Sequence, residues 1–202
     1  DFIRSNIPRN VETFFLYKTD SPTIVKKRFV DHINKSKVLG VYSLNEEVIK
    51  EDIEIQFLDR FEKLIPQHDV VIVSDYGHGM ISPKAAEYIA EKASFLALNA
   101  QVNAANIGYH TMNKYQSVDC VIINETELRH ELRDRDGDVG PLLKKLSVNL
   151  SSKFSVVTSG NEGAILYNHE SDEYFACPAF ASKVVDKIGA GDAMLALLSI
   201  VL

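Results

Sequence analysis

Four short apolar runs constrain this chain most: "DVVIVSD" ending at Asp75, "SFLALN" ending at Asn99, "VDCVIIN" ending at Asn124 and "FSVVTSG" ending at Gly160. None alternates polar with apolar residues, so none suits a strand with one wet face. Runs of this kind are covered on both faces, which is the environment of a parallel sheet between helical layers. Helical segments fall between them. "SPKAAEYIAEKA" has Ser82 as N-cap and Pro83 in the first turn, and "ETELRHELRD" opens directly after a strand. Strand, loop and helix in repetition predict an α/β fold, a doubly wound and mainly parallel sheet with right-handed crossovers. "GAILYN" and "EYFACPA" close the series as an expected hairpin.

The first part of the chain has a different rhythm. "TFFLYK", "TIVKKRFV" and "KVLGVYSL" are alternating, β-branched or aromatic, and predict two or three antiparallel strands in a small sheet. Ile53, Phe57, Phe61 and Leu64 then recur at helical spacing until Pro66 stops the element. We therefore expect a β lid over residues 11–45 and an α/β core over residues 46–202.

Charge and cysteine usage narrow the function classes. The net charge is -6 and Lys and Arg form no stripe, which argues against a nucleic-acid partner. No apolar run has membrane length, so no membrane partner is expected. Cys120 and Cys177 are far apart within or beside apolar segments, as reduced thiols of a cytoplasmic protein would be. The chain begins at Asp1 and stops inside an apolar helical pattern, so we expect a piece of a longer polypeptide.

Ligands of open α/β sheets bind beyond the carboxyl ends of the strands. Those ends are polar here: Asp75, Asn99, Asn124 with Glu127, and Thr158 to Gly160. Gly189-Ala190-Gly191-Asp192 joins them at the start of the last helix. Two glycines let backbone come close to a ligand, and the first amides of a helix then face an anion. By spacing alone Asp192 is either a helix N-terminal acid or a working carboxylate. A dinucleotide fingerprint fails, because the third glycine position is Met194.

These residues carry a resemblance. Asp186 followed by Gly189-Ala190-Gly191-Asp192 resembles the late signature of the ribokinase/PfkB carbohydrate kinases. "NETE" (Asn124 to Glu127) is similar to that family's Asn-x-x-Glu element, and "TSGNEG" (Thr158 to Gly163) to its Thr-x-Gly-x-x-Gly nucleotide loop. The resemblance implies a ribokinase-like fold and ATP-dependent phosphorylation of a sugar or sugar phosphate, with magnesium. It makes Asp192 the general base and Gly189, Ala190 and Gly191 the hole for phosphoryl charge. Asn124, Thr158, Gly160, Gly163 and Asp186 would hold the nucleotide, and Glu127 would reach magnesium through water. "PTIVKKRFV" followed by "VVIVSDYGHGMIS" looks most like the heptose-phosphate kinases of bifunctional kinase/nucleotidyltransferases. Lys26 and Arg28 of the lid, Asp75, Tyr76, Asn99 and Gln101 would then contact substrate. A homodimer through the lid and a fused nucleotidyltransferase domain are the partners this implies.

The chain also departs from that pattern. Asn99-Ala100-Gln101 stands where the heptose kinases usually have Asp-Pro-Lys, His78 where they tend to carry lysine, Gly40 where an arginine is common, and Lys187 where many members have threonine. The early Gly-Gly sugar-binding segment and the closing adenine region lie outside these 202 residues, so the fragment alone is expected to be inactive. The alternative from another class is a catalytically silent kinase-like module for ligand binding or assembly beside a nucleotidyltransferase. His78 and His110 read equally as loop hydrogen-bonding residues or as ligands, and no second His or Cys stands at metal spacing, so no zinc is assigned. Asp134, Asp136 and Asp138 read as a surface turn, since Val139 and Lys145 occupy required positions of a calcium loop.

Overall fold

The computed structural model describes residues 2–18, 21–33, 36–102, 112–180 and 189–202. A short helix, α1 (Phe2–Asn6), precedes the two-stranded antiparallel lid of β1 (Val25–Val30) and β2 (Lys37–Ser43). The strand expected in "TFFLYK" does not form. Residues 11–18 instead run without regular structure, with Phe14 under the Arg60 guanidinium at 4.0 Å and Phe15 under that of Arg4 at 4.7 Å. Cation and ring contacts thus replace ladder bonds, so aromatic content here reports docking rather than strand pairing.

Helix α2 (Glu51–Leu64) leads into β3 (Val71–Asp75), and α3 (Pro83–Lys92) follows. Ser82 caps α3 by accepting from Ala85 N at 3.0 Å, as its residue type foretells. Next come β4 (Leu96–Ala100), β5 (Cys120–Asn124), α4 (Glu125–Leu132), α5 (Val139–Leu150), β6 (Phe154–Thr158), the hairpin β7 (Ala164–Asn168) and β8 (Glu173–Cys177), and α6 (Ala190–Val201). Helix α5 is hidden in the sequence by Gly140-Pro141. Both fall in its first turn, where the amide that proline lacks would have no helical partner.

The sheet order is β3-β4-β5-β6-β7-β8, parallel through β6 and antiparallel in the last two pairings. Sequential order with right-handed crossovers puts the connecting helices on one face. There Leu98, Val121, Ile123 and Val157 pack with Ile89 of α3, Leu128 of α4 and Leu143 and Leu146 of α5. On the other face Ala97, Cys120, Ile122 and Val156 meet Leu195 of α6. Two covered faces explain why β4 is buried at every position. The fold is the expected mainly parallel α/β sheet with a small β lid. Among the described residues no helix is long and apolar enough to cross a membrane.

Candidate active site

Strand β3 and helix α6 meet at the carboxyl edge of the sheet. Ser74 Oγ stands 3.5 Å from Asp192 Oδ1, and Tyr76 Oη 3.5 Å from Asp192 Oδ2, so two hydroxyls flank both carboxylate oxygens at the outer limit of hydrogen bonding. Asp192 sits in the first turn of α6, where the N-terminal amides and the helix dipole favour negative charge. Gly189 caps that helix in the left-handed region, φ 80°. Among the described residues nothing lies within 4 Å of where a Cβ on Gly189 or Gly191 would stand. The left-handed φ itself calls for glycine at 189, and among the described residues no packing calls for it at 191; open space over a helix N-terminus suits an anion.

Lys26 on the lid, Ser74 and Asp75 at the end of β3, and Tyr76 just beyond it wall a cavity of about 510 Å³. Lys26 Nζ lies 5.5 Å from the centre of the Tyr76 ring, a cation over an aromatic face. Arg28, Asn99 and Gln101, expected at the substrate, do not line this cavity. Asn99 is buried and donates its side-chain amide to Ile122 O at 2.8 Å, and Gln101 N donates to Asp75 O. Arg28 projects on the same lid face as Lys26, since alternate residues of a strand share a face.

The lid carries a further cation that sequence spacing did not single out. Lys37 Nζ donates to Tyr42 Oη at 3.0 Å, and its Cε and Nζ lie 3.0 and 3.1 Å from where a Cβ on Gly40 would stand. The side chain that Gly40 lacks leaves room that Lys37 fills. The hydrogen bond from Lys37 holds the Tyr42 phenol below its ordinary value, with help from the charges of Arg28 and Lys26.

Asp75 has an unexpected surrounding. Its Oδ1 accepts from Gly77 N at 2.8 Å, and its Oδ2 from Tyr115 Oη at 2.7 Å and from Lys114 Nζ at 2.6 Å. Burial alone would push this carboxyl up, yet Lys114, Gly77 and Tyr115 together outweigh burial and hold it below the usual carboxylate range. Asp75 therefore shapes the 76–79 loop through protein contacts. Lys114 and Tyr115 had no sequence signal, because their chemistry depends on meeting a strand 40 residues away.

At the next strands, Asn124 and Thr158 are direct neighbours in the parallel register of β5 and β6. Asn124 and Glu127 form a reciprocal capping box: Asn124 Oδ1 accepts from Glu127 N at 2.9 Å, and Glu127 Oε2 from Asn124 N at 3.2 Å. Burial pushes the Glu127 carboxyl up, against the hydrogen bonds from Asn124 and Val102. Gly160 and Gly163 both have positive φ in the turn after β6. A Cβ on Gly163 would stand 2.0 Å from Cys177 O, so this glycine is required by the close approach of β8's end. Asp186 and His110 lie outside the described residues. Among those described, no three His, Cys, Asp or Glu side chains converge to hold a metal. Asp134 Oδ1 accepts from Gly137 N at 2.8 Å, closing the expected surface turn.

The pattern of the pfkB family carbohydrate kinases matches residues 2–202. The chain belongs to that family. It is 28% identical over 197 residues to the bifunctional protein HldE of Campylobacter jejuni, covering 96% of this chain and 40% of the relative. The HldE of Koribacter versatilis is 26% identical over 203 residues, covering 99% and 40%. The chain thus spans about two fifths of the length of these relatives. Ribokinase from Giardia lamblia superposes with a TM-score of 0.61 at 18% identity, over 87% of this chain and 55% of that one. Phosphofructokinase-2 from Escherichia coli superposes with a TM-score of 0.62 at 12% identity, over 80% and 54%. These structures share the fold with this pfkB family chain, which accounts for its mainly parallel sheet.

Proposed function

We propose that the longer protein containing this chain is an ATP-dependent kinase of a sugar or sugar phosphate, and that Asp192 is its general base. The flanking of Asp192 by Ser74 and Tyr76, at the open N-terminus of α6 and beside the Lys26 cavity, carries this reading. In the proposed step Asp192 takes the proton of a substrate hydroxyl as that oxygen bonds to the γ-phosphorus of ATP. The bond from that phosphorus to the bridging oxygen breaks, and ADP leaves with the electron pair. The backbone of Gly189, Ala190 and Gly191 receives the charge developing on the phosphoryl oxygens. Thr158, Gly160, Gly163, Asn124 and Asp186 are assigned to the nucleotide.

Magnesium, when bound with the nucleotide, neutralises phosphate charge. Glu127 is one carboxylate already accepting two backbone amides, which suits contact through water better than direct ligation. The outward lid face, with Val25, Phe29, Leu39 and Val41 exposed, supports a homodimer through the lid. The name of the HldE relatives supports a second activity elsewhere in the longer protein, which we assign to a nucleotidyltransferase domain. Residues 11–45 are the lid and 46–202 the core of this proposed enzyme, acting in the cytoplasm.

Asp192→Asn in the longer protein keeps shape and removes the proton acceptor. Turnover should fall by about 10²- to 10⁴-fold while ATP binding, measured by calorimetry, stays within twofold. Unchanged turnover would reject Asp192 as base, and absence of sugar-dependent ATP consumption in the unsubstituted protein would favour a silent ligand-binding module.

A further inference from the structure

His78 is the least satisfied polar side chain of the described residues. Its side chain is only 7% exposed, and neither ring nitrogen has a hydrogen-bond partner. Glu46 Oε1 stands 3.6 Å from Nδ1, too long for a hydrogen bond but within ion-pairing range. Buried polar groups in folded proteins are almost always paired, so two orphaned nitrogens on one ring need a reason.

The surroundings supply one. His78 lies in the wall of the cavity beside Asp192's flanking residues, among the apolar side chains of Ile24, Phe57, Met80 and Ile81. The polar groups facing it are Lys26 from the lid, Glu46 from the segment before α2, and Asp75 from the end of β3. Lys26 can only donate, and both Asp75 oxygens already accept from protein donors. A polyol needs acceptors as well as donors, because each of its hydroxyls has a proton to place. An imidazole with one N–H turned to Glu46 offers an acceptor lone pair at its other nitrogen. Burial, and the positive charge of Lys26, push the His78 imidazole down against the pull of Glu46 and Asp75, which keeps that lone pair free near neutral pH. The 76–79 loop is also fixed from both sides. Gly77 N donates to Asp75, and Gly79 O accepts from Ile49 N at 3.0 Å, so the ring is held on a constrained backbone with Nδ1 turned toward Glu46.

We propose that His78 is a specificity-determining residue of the sugar subsite: Glu46 receives its Nδ1–H, and Nε2 accepts a hydrogen bond from a hydroxyl of the bound carbohydrate. The proposal rests on the carbohydrate-kinase reading, which it deepens by assigning an acceptor to the substrate end of the cavity.

The test uses the longer protein with ribose, fructose 6-phosphate and a heptose 7-phosphate as probes, each with ATP. His78→Leu replaces the ring by an apolar side chain that its neighbours can pack, and His78→Gln keeps a donor and an acceptor. For the probe that is turned over best, H78L should raise the sugar KM by roughly 10- to 100-fold, the range for one lost buried hydrogen bond, with the KM for ATP unchanged. It should also melt at or above the temperature of the unsubstituted protein, since no orphaned nitrogens remain. H78Q should recover most of the sugar affinity. In addition, kcat/KM for the sugar should fall on the acid side as the imidazole protonates, and H78Q should lack that limb. Equal sugar KM in H78L, or equal losses for sugar and ATP, would overturn the assignment. If no probe is turned over, the kinase reading fails separately. Calorimetry then decides for His78: sugar binding lost in H78L and kept in H78Q supports it, while unchanged binding, or no binding of any probe to the unsubstituted protein, overturns it.

Discussion

Lys114 Nζ lies 2.6 Å from Asp75 Oδ2, with the lysine side chain 16% exposed and the carboxylate 4% exposed. This buried ion pair ties the segment after β4 to the end of β3, and Tyr115 Oη reinforces it on the same oxygen. It holds the floor of the loop that carries Tyr76 and His78. Removing one partner of such a pair strands the other charge, which costs far more than the pair contributes over an apolar substitute.

Lys114→Met should therefore destabilise the protein by about 3–5 kcal/mol in urea unfolding. Asp75 has its folded pKa lowered, so its stabilisation is present above the unfolded carboxyl value, near 4, and is lost as pH falls below it. Between pH 5 and pH 3 the unsubstituted protein should lose stability more steeply than K114M. Equal slopes would remove the ion pair from the account of this loop.

Tyr76→Phe removes the hydroxyl beside Asp192 Oδ2 and leaves the ring under Lys26. If the hydroxyl positions the base, kcat should fall by about tenfold while the KM for ATP is unchanged, the loss of one hydrogen bond to a charged group. Single-turnover kinetics would separate this from slower product release. A drop confined to sugar KM would make Tyr76 a binding residue only.

Glu127→Gln should raise the magnesium concentration giving half-maximal rate. Its effect on stability has the opposite tendency. Burial raises the folded pKa of Glu127, so the stabilisation it contributes is present at acid pH and fades as pH rises through that value. At pH 7.5 E127Q should then be no less stable than the unsubstituted protein by thermal melting. An unaltered metal titration would leave Asn124 and Glu127 with their capping box alone.

Two glycines should behave in opposite ways. Gly163→Ala would place a Cβ 2.0 Å from Cys177 O at a φ of 102°, and should cost about 2–4 kcal/mol. Gly191→Ala meets nothing among the described residues and sits within α6, so stability should stay within about 1 kcal/mol. Its penalty should fall on turnover, because the added methyl occupies the space assigned to phosphoryl oxygens. Full activity in G191A would place the phosphoryl group elsewhere.

Local physics made much of this protein legible from its residues alone. Unbroken apolar runs predict strands covered on both faces, which holds for β4 to β6 but not for the edge strand β3, where Ile72 is exposed; Ser82 and Asn124 each cap the helix that begins at the very next residue, and "GAILYN" with "EYFACPA" pairs across a short turn. These are short-range consequences of side-chain type, and the family signature around Asp192 lies in one contiguous stretch. Tertiary structure decided the rest. "TFFLYK" has strand composition but pairs its rings with Arg60 and Arg4, and Gly140-Pro141 hides a helix whose core contacts override local propensity. Ser74 reads as an ordinary strand residue until α6 brings Asp192 to it across 118 positions. The same holds for Lys114 on Asp75 and for Lys37 over Gly40: the sequence names the charged groups, but burial and distance choose their partners, and both are properties of the folded chain.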